Sequence, residues 1–513
     1  MSKSFRGRLL AAIFTAGVSG ALISAPAAAE TLADAIALAY DSNPTLQAQR
    51  ATQRALDETY VQARSGWRPT LSLSAAGSYT ENRATRESRF TGFPLQGDGV
   101  TYSNGGQAAL SFSQPLWTGG RTAAAVSASE AEILAGRENL RRIEAQILLN
   151  VIQAYADVRR DLEALRIREE NVTVLQRQLD ESQARFDVGE ITRTDVAQSQ
   201  ARLAGAQAQL QNGQAQLGIS RATYAAVVGQ NPGDLAPEPS LAYLMPGNVD
   251  DAFTVAEQNS PVLRAQQFLE QASRSRVAGA RAERMPNVSL SASSRFGQAP
   301  FDPFERELFD RESQVGVNVT VPLFSGGLVS SRIRQSVERN NADRINVEAQ
   351  RRTVLQTITQ AWNQLIASRA NISSTAEQVT AARIAAEGTR QEQQVGLRTT
   401  IDVLNAEQEL RSAELNQVSA RRDEYVAAAN VLASMGRLEA KNLTPTVASY
   451  DAKANFRKLR ITWGWVPWEE PIGIVDRVLT IAPAPQPSEK PVEAAIPPGL
   501  QPPPAVPVAA PRS

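Results

Sequence analysis

Four stretches of the chain alternate apolar and small polar residues with a period of two. After Pro69, Leu71, Leu73, Ala75, Gly77 and Tyr79 fall on one face and Thr70, Ser72, Ser74, Ser78 and Thr80 on the other. After Pro286, Val288, Leu290 and Ala292 oppose Ser289, Ser291 and Ser293, and further on Val315, Val317, Val319 and Val321 oppose Gly316, Asn318 and Thr320. This pattern predicts half-buried strands over about 69–80, 106–116, 286–296 and 313–324. Elsewhere the period is helical. Leu140, Ile143, Ile147, Val151, Ala154, Val158, Leu162, Leu165, Val172, Leu175, Leu179 and Phe186 recur at spacings of three, four and seven, the seam of a coiled-coil-like helix. No proline lies between Pro115 and Pro232 or between Pro322 and Pro445. Helices are expected over 121–187, 192–228, 328–394 and 399–436, and a 67-residue helix is on the order of 100 Å long. Such a helix cannot bury itself against its own domain and must lie beside others. Abundant Ala, Gln and Ser, with Ala361, Ala382 and Ala386 on the second seam, allow close packing in a thin wall.

The pattern occurs twice. Residues 31–79 realign on 248–296, bringing Pro44, Leu46, Arg64, Pro69 and Leu73 onto Pro261, Leu263, Arg281, Pro286 and Leu290. A second block sets Pro115-Leu116-Trp117-Thr118-Gly119-Gly120 on Pro322-Leu323-Phe324-Ser325-Gly326-Gly327 and holds through Val188-Gly189 on Val395-Gly396 and Asp195-Val196 on Asp402-Val403. The first copy is longer only between about residues 80 and 110, which marks a surface loop. The organisation expected is repeat 1 over 30–229, a linker or belt over 230–247, repeat 2 over 248–440, a belt-associated segment over 441–470 and a Pro-rich disordered tail over 471–513. Each repeat opens with a helix broken at Asn43-Pro44 or Ser260-Pro261, a capping residue followed by proline at the first helical position.

An alternating strand suits either a soluble sheet or the wall of a membrane barrel. Residues 1–29 decide between them: Lys3, Arg6 and Arg8 precede the apolar run from Leu9 to Ala25, and Ala27-Ala28-Ala29 offers a cleavage site, so a signal peptide is expected. Strands of roughly ten residues in an exported chain fit a tilted crossing of a bilayer. No later segment is apolar for the roughly 18 residues that a membrane helix needs. Four strands cannot close a barrel, for which about eight is the minimum, so several copies must share one. Loops at about 81–106 and 297–312 would face outside, with Phe90, Phe93, Tyr102, Phe301, Phe304 and Phe309 at the lipid interface.

Composition narrows the chemistry. The chain of 513 residues contains no histidine and no cysteine, which removes His/Cys zinc sites, thiol nucleophiles, disulfides and the Ser-His-Asp triad, and leaves no cysteine for an N-terminal lipid anchor. Lys+Arg and Asp+Glu both number 53, and loss of the signal peptide leaves a slight acidic excess, so nothing points to nucleic acid. No cofactor or metal is expected. A carboxylate-only enzyme passes this filter, but no convergent acid/base set presents itself.

Each long helix ends at a Val-Gly pair, Val188-Gly189 and Val395-Gly396, and the next starts with Thr192-x-x-Asp195 or Thr399-x-x-Asp402, both of capping-box form. Asp195 and Asp402 therefore have a purely structural reading as helix caps. The alternative is that these turns lie at the far rim of a closed tunnel, where rotational symmetry repeats each carboxylate around an opening.

These residues resemble the TolC family of outer-membrane channel proteins, over nearly all of residues 31 to about 445. The resemblance is carried by Ala39-Tyr40-x-x-Asn43-Pro44-x-Leu46, the two Pro-Leu-aromatic-Ser/Thr-Gly-Gly turns, Arg185-Phe186-x-Val188-Gly189 with Thr194-Asp195-Val196, and Val395-Gly396-x-Arg398-Thr399-x-x-Asp402-Val403-Leu404. It implies an α+β membrane protein: a homotrimer with a twelve-stranded β-barrel in the outer membrane, continued by a twelve-helix periplasmic α-barrel with an equatorial belt. It also implies a passive exit duct for drug efflux or type I secretion, contacting outer-membrane lipid, a periplasmic adaptor protein and an inner-membrane RND or ABC pump. Carried over by motif, Arg398 is a gating latch with Asp195 as acceptor on a neighbouring helix and Thr194 beside it. Asp402 belongs to an acidic entrance ring, and Val188, Gly189, Val395 and Gly396 form the turns on which the adaptor docks. Two positions depart from the pattern: Gln393 stands where some members have a latch tyrosine, and Asn405 where some have a second ring aspartate. The ring would then hold three carboxylates instead of six and attract cations less strongly. The competing reading of the same periodicity is a lumenless trimeric coiled-coil tether or adhesin. The resemblance gives no role to Trp463, Trp465 and Trp468, for which packing on the belt is expected.

Overall fold

The computed structural model describes residues 29–83, 100–297, 310–444, 450–461 and 464–478. Residues 1–28 of the expected signal peptide, Phe90, Phe93, Phe301, Phe304, Phe309, Trp463, the side chain of Tyr102 and the tail beyond 478 lie outside the described residues.

The chain is a mostly helical tandem repeat around one small sheet. The first copy runs α1 (Leu32–Ser42), α2 (Pro44–Arg64), β1 (Thr70–Arg83), β2 (Val100–Trp117), α3 (Arg121–Asp187) and α4 (Arg193–Val228). The second runs α5 (Val249–Asn259), α6 (Pro261–Ala282), β3 (Asn287–Gly297), β4 (Asp310–Thr320), α7 (Leu328–Gln394) and α8 (Thr400–Ser434). Three short helices follow: α9 (Ala440–Leu443), α10 (Ala454–Leu459) and α11 (Glu469–Val478). The break between α1 and α2 has the local chemistry expected of it, because the Asn43 side chain accepts hydrogen bonds from the Thr45 and Leu46 amides (3.0 and 3.3 Å) and Pro44 opens the next helix.

The strands form one antiparallel sheet in the order β1-β2-β3-β4, so the two repeats are joined edge to edge by β2 and β3. Register sets Leu71 opposite Phe112, Phe112 opposite Ala292 and Ala292 opposite Val315, while the next row on the same face runs Gln114, Leu290 and Val317. This apolar face is uncovered: Leu73 and Val315 are each 75% exposed. The opposite face carries serines, glycines and the pair Arg295–Glu312. β4 ends at Thr320, short of the expected residue 324, because Pro322 has no N–H to offer the ladder. β2 runs on past its own Pro115 with an irregular register before Trp117.

α3 and α7 are each 67 residues long, yet their environments differ. α3 has buried positions from Thr122 to Ser182, whereas α7 has none before Val354. Against the start of α3 lie Tyr60 and Trp67, which cluster with Val126 and Ile133 and are flanked by Phe456 and Ile472. Half-way along, the main core joins Ile152, Tyr155 and Val158 of α3 to Ile36 of α1, Tyr224 of α4, Ala256 of α5 and Leu432 of α8. Here the linker is stitched to the residues just before α1: the Glu30 amide donates to the Asp234 carbonyl, and the Tyr155 hydroxyl donates to the carbonyls of Ala236 and Glu30 (2.6 and 3.0 Å). Burial pushes the Tyr155 hydroxyl up to about 12, so it remains a donor throughout the physiological range.

The C-terminal segment differs from expectation. Disorder was expected from residue 471, but α11 continues to Val478, held by two buried carboxylates. Glu469 pairs with Arg64 and Arg68 at 2.6 and 2.8 Å. Asp476 accepts from the Thr118 and Gly120 amides (2.7 and 3.1 Å) and the Trp67 indole (3.2 Å), serving as an external cap on α3. Trp468 is not at the belt: its indole donates to Gln114 at the foot of β2 (3.1 Å). Proline content alone hid these anchors.

Replacing Glu469 with Ala removes the carboxylate that two buried arginines share and should cost about 3–5 kcal/mol. The measurement is the thermal midpoint of the detergent-solubilised protein. Glu470→Ala, at a largely exposed carboxylate, should cost less than about 1 kcal/mol. Equal shifts would contradict the docking of α11 described above.

Candidate functional site at the distal helix ends

Both helical hairpins turn by the same local chemistry. Val188 and Val395 cap α3 and α7, and Gly189 and Gly396 follow at φ of 81° and 80°, a left-handed conformation that suits glycine. The Gly189 and Glu190 amides donate to the carbonyls of Phe186 and Arg185 (both 2.9 Å), and the Gly396 and Leu397 amides donate to those of Gln393 and Glu392 (3.0 and 2.9 Å). The tips present apolar side chains to solvent, with Val188, Val395 and Leu397 all more than 70% exposed.

The next helices open with matched capping boxes. The Asp195 carboxylate accepts from the Thr192 amide and hydroxyl at 3.0 and 2.7 Å, and the Asp402 carboxylate accepts the same pair from Thr399 at the same distances. All four bonds fall on Oδ2. Those hydrogen bonds, with the Arg398 charge adding to them, hold the Asp402 carboxyl below the usual carboxylate range. Thr194 is exposed one residue before Asp195, whereas Gln393 is buried inside the end of α7.

Within the chain Arg398 pairs with Glu392 of its own turn (2.8 Å) and not with Asp195, which keeps to Thr192. Asn405 is also engaged: its carbonyl accepts from Arg202 of α4 (2.8 Å), tying the first hairpin to the second. Just behind, Leu404 packs with Leu175, Leu203 and Ala206, so α8 closes on α3 and α4 through apolar contact. Glu407, 4% exposed, accepts from Arg390 and lies 3.7 Å from Arg411, which also pairs with Glu414 at 2.7 Å. Sequence reasoning missed Glu392, Arg202 and this ion cluster around the buried Glu407. Only the spacings Glu407–Arg411 and Arg411–Glu414, one helical turn apart, gave a signal.

The outer membrane efflux protein profile matches residues 35–230 and 253–437, one block on each repeat. The chain belongs to that family. It is 32% identical over 449 residues to the outer membrane efflux protein BepC of Brucella suis, covering 87% of this chain and 94% of BepC. It is 26% identical over 438 residues to the outer membrane protein TolC of Vibrio cholerae, covering 84% and 96%. Among solved structures, the Campylobacter jejuni CmeC outer membrane channel superposes with a TM-score of 0.68 at 16% identity, covering 83% of this chain and 89% of CmeC. The Vibrio cholerae outer membrane protein VceC gives 0.65 at 21% identity, covering 79% and 96%. These last two show the fold. As an outer membrane efflux family protein, the chain is a channel component and not an enzyme.

Because the folded state lowers the Asp402 pKa, the stabilisation from this cap is complete above the unfolded carboxylate value of about 3.9 and is lost as pH falls through the lower folded value. Amide-exchange protection in the first turn of α8 should therefore be level from pH 7 to pH 5 and fall only in stronger acid. In Asp402→Asn it should be reduced already at pH 7. Loss of protection near pH 6 in the parent protein would contradict this account.

Proposed function

We propose that the protein is the outer-membrane exit duct of a tripartite efflux pump or type I secretion system, passively conducting substrates across the periplasm and outer membrane. The observation that carries this reading is the sheet. Its apolar face is bare, its polar face is lined by small residues, and within the chain β1 and β4 each pair on one side only. Backbone groups at such edges need partners inside a bilayer, and pairing β4 of one copy with β1 of the next supplies them. Three copies give twelve strands, a closed barrel facing lipid outward and water inward. The first part of α7 supports the same assembly, since α6 meets it on one side through Asn340 and Arg332 and no residue before Val354 is buried. The protein's place is the outer membrane, with its helices extending into the periplasm.

At the far end, the hairpin tips form the periplasmic mouth. Arg398 and Asp195 of adjacent helices form the latch, with Thr194 beside them; the second carboxylate oxygen of Asp195 is the acceptor, and Arg398 leaves Glu392 when it engages. Gln393, being buried, contributes packing where some relatives place a tyrosine. Asp402 supplies three carboxylates to the entrance ring, while Asn405 holds Arg202. The apolar turns at Val188-Gly189 and Val395-Gly396 take the periplasmic adaptor, and an inner-membrane RND or ABC pump selects the cargo. A lumenless tether would leave the polar face of the sheet without a purpose.

Arg398→Ser should raise single-channel conductance in planar bilayers, and an unchanged closed level would remove the latch assignment. Asp402→Ala should weaken block by divalent cations; unaltered block would count against the ring. Purified protein that never conducts, even as Arg398→Ser, would favour the tether.

A further inference from the structure

The helix α11 is built inside out. On a helical projection Glu469, Ile472, Gly473 and Asp476 form one side, and this is the side that packs on the protein, with Glu469 and Asp476 both 0% exposed. The opposite side is Pro471, Ile474, Val475 and Val478, with Ile474 57% and Val478 75% exposed. A helix on a water-facing surface puts its charges outward and its apolar residues inward. Here the arrangement is partly reversed: the exposed charges Glu470 and Arg477 are confined to one flank, the outermost side is apolar, and the two inward carboxylates are satisfied by Arg64, Arg68, Thr118, Gly120 and Trp67. That reversal is explained if the medium outside α11 is not water.

Its position says what the medium is. Trp468, immediately before α11, donates its indole N–H to the Gln114 side chain. Gln114 shares a sheet face with Leu290 and Val317, the apolar face of the sheet, and stands at the end of β2 that leads into α3. The helix therefore lies against the foot of the apolar face, and its outward residues continue that face past the ends of the strands. Trp468 and Trp465 are 47% and 38% exposed beside it, and tryptophan is the residue that prefers the boundary between hydrocarbon and headgroups, an apolar ring with one polar handle.

We propose that residues 464–478 are an interfacial anchor, with Ile474, Val475, Val478, Trp465 and Trp468 seated in the periplasmic leaflet of the outer membrane, at the level where acyl chains meet phospholipid headgroups. The occupant of this face is lipid, not a neighbouring copy of the chain, because the outward residues follow Trp468, which is bonded to Gln114 on the bare face of the sheet, while the residues that meet Trp67 and Arg68 at the start of the edge strand β1 are the inward ones. This rests on the reading of that sheet face as the lipid-facing wall of a barrel. It gives the chain a second membrane contact outside the strands.

The lack of cysteine makes the test clean. Nitroxide labels are placed singly, by Ile474→Cys, Val478→Cys, Val317→Cys on the sheet face and Ile384→Cys on the exposed side of α7, in the full-length protein reconstituted into phosphatidylethanolamine and phosphatidylglycerol vesicles. Collision with dissolved oxygen, which concentrates in lipid, is compared with collision with a water-soluble nickel chelate. Labels at 474 and 478 should give an oxygen-to-nickel ratio several-fold above that at 384 and close to that at 317. If 317 is lipid-like but 474 and 478 match 384, the anchor is wrong while the barrel stands. Labels at 474 and 478 shielded from both reagents would mean that a neighbouring copy covers them, which also overturns the proposal. A water-like ratio at 317 would remove the barrel reading, and the anchor with it.

Discussion

A helix of 67 residues has more side-chain surface than one chain can cover, and the architecture follows from how that surface is shared out. α3 obtains its cover in three sections. Near the strands it is enclosed by α2, α6 and the C-terminal segment, at mid-length by the core around Tyr155, and near its end by α4 and α8. α7 is buried only in the later two sections, and its first part is met by α6 alone, on one side. The asymmetry between two copies of one repeat is thus a difference in cover: α2, α6 and the C-terminal extension all meet the start of α3, whereas α6 alone meets the start of α7.

The same extension shows how polar groups are used where the chain changes from strand to helix. At Thr118-Gly119-Gly120 the backbone turns through two residues of positive φ, and the amides freed there would be costly to bury without partners. Asp476 accepts two of them. A Cβ at Gly119 would lie 2.3 Å from that of Met285, so this turn is packed tightly as well as capped, while the equivalent Gly326 has open space around it. Duplicated sequence does not guarantee duplicated environment, and the Gly-Gly motif alone cannot tell the two apart.

Much of the fold was legible in the residues. The repeat, the strand alternation, the uninterrupted helices and both capping boxes follow from local spacing, and the Val-Gly turns have the geometry that glycine at that place implies. What spacing could not reveal was partnership between distant positions. Arg398 looks the same in sequence whether it pairs with Glu392 or reaches another helix, and Arg202 carries no mark that Asn405 lies opposite it. α11 was missed for a related reason. Glu469 stands at the end of the expected belt-associated segment and Asp476 in the expected Pro-rich tail, and only the folded chain brings Arg64, Arg68 and Thr118 to meet them.

The mid-length core also makes each long helix a lever. Ile152, Tyr155 and Val158 are fully buried and hold α3 as a fulcrum holds a beam, and the arm from Val158 to Asp187 is about 44 Å long at the usual rise per residue. A tilt of about five degrees at the fulcrum would carry the tip about 4 Å on that arm. That travel exceeds the 2.8 Å length of the Arg202–Asn405 hydrogen bond, yet it needs no break in the helix itself. A small repacking half a helix away would therefore displace the distal helix ends, α4 moving with α3, with mechanical advantage supplied by stiffness alone.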